Sequence, residues 1–184
     1  MKTNILVTFD QMSRISAKYE VVQVLKEIGE ENPKFIRSQI RGLFEINIKM
    51  DPKEVTKRLY SLCRKDSSKF VYTYHWIPVE RWCPSTIEKM AEVVKEMAEN
   101  IKPKERWRMR INKRLYKKHR TRELIELLTQ DIDRPNVDLE KPDKTIQIEI
   151  IGEEAAISLL KTREHFSVNE VKKQLYTKLR RIFT

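Results

Sequence analysis

The sequence predicts an α+β protein made of two small domains and a closing amphipathic helix. Apolar residues recur with period two in some segments and at steps of three and four in others, and the two kinds alternate along the chain. One set of elements is complete by about residue 80, a proline-bearing break follows, and a second set runs to about residue 165. A length of 184 residues allows one large or two small domains, and 40% apolar with 35% charged residues suits a folded chain with a heavily charged surface.

Strand-like alternation opens the chain, with Ile5, Val7 and Phe9 on one face. A helix follows, with Ser13 or Ser16 as its N-cap and an inner stripe of Tyr19, Val22 and Leu25 beside Val21 and Ile28; Gly29 ends it. After Pro33, residues 34 to 40 and 42 to 49 are extended, the second run with Phe44, Ile46 and Ile48 on one side. Asp51 caps the next helix, Pro52 takes its first position, and Val55, Leu59 and Leu62 face inward. Residues 70 to 79 form a fourth strand. Strand, helix, strand, strand, helix, strand is the order of a ferredoxin-like split βαβ domain, here residues 1 to 80.

Arg81 to Pro84 is expected to be a linker. Ser85 then caps a long helix with Ile87, Met90, Val94 and Met97 inward and Lys89, Glu92, Lys95 and Glu99 outward. A strand at 106 to 111 leads to a helix over 121 to 133, with Thr121 as N-cap and Leu124, Leu127 and Leu128 inside. The turn-rich VDLEKPD at 137 to 143 precedes a strand that buries Ile146, Ile148 and Ile150, and Gly152 separates it from an apolar run, Ala155 to Leu160. These elements make an α/β domain over residues 85 to 165. The remaining segment, 166 to 184, is helical from Ser167, with Val168, Val171, Leu175, Leu179 and Ile182 on one stripe.

Composition removes several function classes. The three glycines, Gly29, Gly42 and Gly152, are far apart, so neither a dinucleotide fingerprint nor a P-loop can form. Cys63 and Cys83 are too few for a disulfide scaffold or a cysteine zinc site, and His75, His119 and His165 have no i, i+4 partner, so no metal site and no cofactor are expected. With no nucleophile beside a base, the chain is expected not to be an enzyme. No apolar run approaches the roughly 20 residues of a membrane span, and the N-terminal stretch is too short for a secretory signal, which makes a cytoplasmic location the expectation.

The net charge of +11 is unevenly spread. Residues 104 to 122 hold ten basic groups against Glu105, net +9, whereas 123 to 170 are net −7 and 171 to 184 are net +5. Concentrated cationic charge of this kind favours a polyanionic partner, nucleic acid first. Within RWRMRI the strand period places Arg106, Arg108 and Arg110 on one face and Trp107, Met109 and Ile111 on the other. Arginine forks two strand rises apart suit successive phosphates. Lys113, Arg114, Lys117, Lys118 and Arg120 would extend that groove. The competing expectation is that these cations pair with the acids of 123 to 170. Lys172, Lys173, Lys178, Arg180 and Arg181 form a secondary RNA or partner surface, or the polar face of a helix that covers its own domain. A row of Phe70, Tyr72, Tyr74 and Trp76 could stack bases, but core packing is the stronger expectation for it.

The long helix, the RWRMRINKR strand, the helix TRELIELLTQDI and the segment VDLEKPDKTIQIEIIGEEAAISL together resemble the THUMP domain, an RNA-binding module of tRNA-modifying proteins. Val137, Asp138, Leu139, Pro142 and Asp143 carry the turn of that motif, and the resemblance covers about residues 85 to 165. THUMP domains typically follow a ferredoxin-like domain, and most members carry a catalytic domain afterwards. This chain ends about twenty residues later, which makes it similar to the stand-alone tRNA acetylation adaptors. The resemblance implies an adaptor that grips the acceptor stem and 3′ end of tRNA and presents it to a separate RNA cytidine acetyltransferase for N4-acetylcytidine formation. A general RNA-binding or ribosome-associated chaperone without tRNA selectivity is the alternative.

Overall fold

A computed structural model describes residues 3 to 183. The elements are β1 (Ile5–Phe9), α1 (Arg14–Glu27), β2 (Lys34–Ile36), β3 (Leu43–Asn47), α2 (Pro52–Lys65), β4 (Thr73–Pro78), β5 (Arg81–Pro84), α3 (Ile87–Glu99), β6 (Trp107–Arg114), α4 (Thr121–Thr129), β7 (Lys144–Ile151), β8 (Glu154–Lys161), β9 (Phe166–Ser167) and α5 (Val168–Phe183). They fall into two units, residues 1–78 with 163–184, and residues 79–162.

In the first unit the sheet runs β2-β3-β1-β4-β9, with every neighbouring pair antiparallel. Ile5, Val7, Phe9, Phe44 and Ile46 meet Val21, Leu25, Val55 and Leu59 in one core. The α2 start matches its sequence signals: the Asp51 carboxylate accepts the Glu54 amide proton at 2.8 Å, and Pro52 sits at the first position. Helix α1 departs from expectation. Its buried face is Ala17, Glu20, Val21, Val24 and Leu25, whereas Tyr19 is 67% exposed and Val22 half-buried. Apolar residues occupy most of its circumference, so periodicity alone does not select the inner face. Ser13 takes the N-cap position as expected, its carbonyl accepting the Ala17 amide at 2.8 Å, but its hydroxyl makes no capping bond and donates to Asp10 at 2.6 Å.

The aromatic row is not one face of a strand. Regular pairing begins only at Thr73, after a register shift between Thr8 and Phe9. Phe70 and Trp76 are core residues, Phe70 edge-on to Phe166 at 5.3 Å, while Tyr72 and Tyr74 are half-buried. The C-terminal segment completes this unit rather than standing apart. Phe166 and Ser167 pair with Trp76 and His75, Val168 and Val171 are buried, and Leu175 packs on the core. Glu164, itself buried, is held by Lys57 at 3.1 Å and Lys53 at 3.8 Å, and its carbonyl accepts the Thr56 hydroxyl. The side chains of Leu179 and Ile182, the end of the expected stripe, lie outside the described residues.

In the second unit the order is β5-β8-β7-β6, with β6 parallel to β7 and the other pairs antiparallel. The expected linker at Arg81 to Pro84 is instead the edge strand β5, paired from Arg81↔Ile157 to Pro84↔Glu154. Four residues ending in proline carry too little period to be read as a strand, and an edge position tolerates the missing donor. Ser85 does not cap α3: its hydroxyl donates to the Gly152 carbonyl, and Thr86 caps instead. Helix α4 begins one residue after Arg120, whose amide is received by Glu123, and it ends at Thr129, short of residue 133. One face of the sheet, with Trp107, Met109, Ile111, Ile146, Ile148 and Ile150, packs against Met90, Val94, Leu124 and Leu128 of α3 and α4. Among the described residues no helix is long and apolar enough to cross a membrane.

Candidate nucleic-acid interface

Strand β6 alternates as its sequence requires: Trp107, Met109 and Ile111 are buried, and Arg108, Arg110 and Asn112 lie on the opposite face, partly exposed. The cations of this face are not equivalent. Arg106, just before the strand, forks onto Asp143, with Nε donating to Oδ2 at 3.3 Å and Nη2 to Oδ1 at 3.1 Å; its Nη1 lies 3.5 Å from Asp138. Asp143 also accepts the Arg106 amide proton at 2.9 Å, and Asp138 accepts the amides of Glu140 and Lys141. Arg108 donates to the Leu139 carbonyl at 2.8 Å and to the Thr145 hydroxyl at 3.2 Å. Arg106 and Arg108 therefore hold the VDLEKPD turn against β6, and the turn's two aspartates serve that lock.

At the far end of β6, Arg114 pairs with Glu149, which is 1% exposed. The same carboxylate accepts from Asn112 Nδ2 and Gln147 Nε2, each at 2.6 Å. Lys113 turns the other way and donates to the His119 carbonyl at 2.6 Å. These contacts, with Tyr116 buried and Leu115 at a φ of +54°, fold the segment from 115 to 120 into a braced loop. Leu115, Lys117, Lys118 and Arg120 project outward from it, and the three cations form no salt bridge among the described residues. The loop runs into the N-terminus of α4, where the Glu123 carboxylate accepts the Arg120 amide at 3.2 Å and lies 2.9 Å from His119 Nδ1. Of the eight cations expected at this interface, Arg106, Arg108, Lys113 and Arg114 are engaged within the fold, Arg110 is partly exposed on the β6 face, and Lys117, Lys118 and Arg120 are exposed on the braced loop.

The C-terminal cations also divide. Lys172 is half-buried and donates to the Phe70 carbonyl at 2.6 Å, whereas Lys173, Lys178, Arg180 and Arg181 are exposed, with the Arg180 guanidinium 6.0 Å from the Tyr176 ring centre. Burial pushes the Cys63 thiol up to about 11, so it is neutral and unreactive at physiological pH.

Hydrogen bonds set the acid response of the turn. Arg106 holds the Asp143 carboxyl below the usual carboxylate range, and the Lys141 and Glu140 amides do the same for Asp138. Lowered native values add stability above pH 3.8, the ordinary aspartate value, and lose it as pH falls through them. Asp143→Asn is therefore expected to melt below wild type at pH 7, with the gap closing as pH falls below 3.8 and through the lowered native value. A gap that is the same at both pH values in calorimetry would contradict the lock.

Grouping charge by folded unit changes its location. Residues 79–162 hold 18 basic and 16 acidic groups, net +2, whereas residues 1–78 with 163–184 hold 20 and 11, net +9. The N-terminal unit is the more cationic body, a property that no local window reveals.

Residues 84–160 match the family model of the THUMP domain, and a THUMP domain is present in this chain. Among solved structures the fold is similar to PH1313 from Pyrococcus horikoshii Ot3, at 15% identity and a TM-score of 0.55, over 86% of this chain and 55% of that one. TrmN from Thermus thermophilus aligns at 13% identity and 0.52, over 84% and 44% of the two chains. A predicted N6-adenine-specific DNA methylase from Listeria monocytogenes str. 4b F2365 aligns at 9% and 0.54, over 86% and 40%. At such identities the likeness is one of fold. The chain spans 40% to 55% of the length of these proteins. No curated protein matches it.

Proposed function

We propose that this chain is a tRNA-binding adaptor, not itself an enzyme, that grips the acceptor stem and 3′ end and presents the tRNA to an RNA cytidine acetyltransferase. The observation that carries the RNA-binding part is the braced, unpaired cationic loop of Lys117, Lys118 and Arg120 at the start of α4, inside a THUMP domain. The loop supplies phosphate contacts that fix register, and selectivity rests on the shape of the stem and on its unpaired end. The N-terminal unit, with its ferredoxin-like order of elements, supports this reading through its resemblance to the domain that precedes THUMP modules. The adaptor role and the acetyltransferase partner rest on the resemblance carried by the VDLEKPD turn and the basic strand.

A salt titration of binding to a full tRNA, and to the same tRNA without its 3′ single-stranded end, tests the reading. Loss of affinity on stripping is expected. Replacing Lys117, Lys118 and Arg120 by alanine is expected to flatten the salt slope by as much as ~3 log units per decade, if all three release counterions. Equal binding to both RNAs with the same slope would mean general RNA binding and favour the chaperone alternative. Incubated with tRNA and acetyl-coenzyme A, the protein alone should leave the RNA unmodified, and addition of the acetyltransferase should produce acetylcytidine.

A further inference from the structure

Helix α2 and the C-terminal segment build a second cationic surface, on the N-terminal unit. Lys53, Lys57, Tyr60 and Arg64 follow one another at steps of four, three and four, so they share one flank of α2. Gln174, Lys178 and Arg181 share a flank of α5 in the same way. The Tyr60 hydroxyl donates to Gln174 Oε1 at 3.4 Å and joins the two flanks. The turn before β9 meets them there. Glu164 is buried under Lys57 and Lys53, so its charge is answered within the fold.

Arg163, beside Glu164, is placed over the same ring. Its guanidinium lies 5.1 Å from the Tyr60 ring centre, and that of Arg64 lies 5.9 Å from it. Arg163 reaches that position with a φ of +71°, a strained conformation for a residue with a Cβ. Tyr60 is half-buried and packs on the core, so the platform beneath both arginines is fixed. Arg64, Arg163, Lys178 and Arg181 are exposed and form no salt bridge among the described residues. Glu170, one turn before Gln174, is the exposed acid of the α5 flank, and it pairs with none of them. Lys53, Lys57 and these four cations thus stand against Glu164 and Glu170, in a unit of net +9.

We infer that this α2 and α5 face is a second RNA contact, which grips the phosphate backbone of a double-stranded segment through Arg64, Arg163, Lys178 and Arg181. It rests on the RNA-binding reading and deepens that reading, by naming a contact outside the THUMP domain and the form of RNA it takes. A guanidinium held over a ring is fixed in place while its N–H donors stay free for phosphate oxygens, two at a time. Two arginines already lie over Tyr60, so a base could stack there only by displacing one. The RNA met here is therefore paired and held by its backbone. A duplex presents phosphates in regular rows, which arginine forks on a rigid platform match better than they match the scattered carboxylates of a protein surface.

The experiment titrates with salt the binding of the full chain to a blunt, fluorescein-labelled RNA duplex. Arg64→Gln, Arg163→Gly, Lys178→Gln and Arg181→Gln together are expected to flatten the salt slope by as much as ~3.6 log units per decade, about 0.9 for each phosphate contact. Arg163→Gly alone should flatten it by about 0.9, and its fold is not at risk, because glycine adopts a φ of +71° freely. Circular dichroism checks the fourfold variant. Arg14→Gln with Lys18→Gln removes two exposed cations from α1 of the same unit and is expected to leave the slope unchanged. Equal flattening per charge in that α1 pair would mean diffuse attraction and would overturn the assignment. A wild-type slope in the folded fourfold variant would also overturn it, and would leave the face to an acidic protein partner. The variant lacking Lys117, Lys118 and Arg120 separates the two readings: loss of tRNA binding there, beside a wild-type duplex slope in the fourfold variant, sinks the α2 and α5 contact alone. Failure of the wild type to bind any RNA sinks both.

Discussion

Glu20→Ala is expected to lower the stability of the N-terminal unit by about 4 kcal/mol. The side chain is buried in α1 and accepts four hydrogen bonds from the segment entering β4. Truncation removes a charged acceptor from three backbone amides and a hydroxyl. Water can reach the exposed Val71 amide, but the buried Thr73 amide and hydroxyl proton lose their acceptor, the hydroxyl oxygen keeping only the Trp76 Nε1 proton at 3.2 Å. Glu20→Gln keeps one acceptor oxygen and is expected to lose roughly half as much. The midpoint of urea unfolding measures both, and an alanine variant within 1 kcal/mol of wild type would show that the four bonds contribute little.

Arg114→Met is expected to destabilise the THUMP domain by about 3 kcal/mol. It leaves the buried Glu149 carboxylate with only the Asn112 and Gln147 amides for company. Partial exposure of Arg114 keeps the figure at the lower end for a broken buried pair. Adding Glu149→Gln should recover most of the loss, because a neutral amide needs no counter-charge, and a double-mutant cycle by urea unfolding reads that coupling. A double variant no more stable than Arg114→Met would mean that the ion pair is not what holds this strand end. Loss of RNA affinity in Arg114 variants must accordingly be read against their stability, unlike that in Lys117 or Lys118 variants.

The expected elements were legible where the signal is local. Asp51 and Pro52 start α2 because a carboxylate and a ring act on the next turn only. The isoleucines of β7 are buried because strand period alone decides which side chains share a face. The same locality explains the errors. Seven of the fourteen residues of helix α1 are apolar and they spread over more than half of its circumference, so Tyr19 is expected inside and lies outside. Strand β5 is too short to show a period, and it exists because β8 offers it an edge.

The charge pattern separates sequence from structure most sharply. Sequence alone determined that the protein is cationic, that β6 presents arginines on one face and apolar residues on the other, and that a THUMP-type turn follows. Tertiary structure decided which of those cations remain for a partner. Arg106 meets Asp143 across 37 residues of chain and Arg114 meets Glu149 across 35, so a segment of net +9 is folded into a unit of net +2. The C-terminal cations, distant in sequence from α1, belong to the N-terminal unit and raise it to +9. Coulomb attraction depends on separation in space and on burial, and neither is a function of position along the chain.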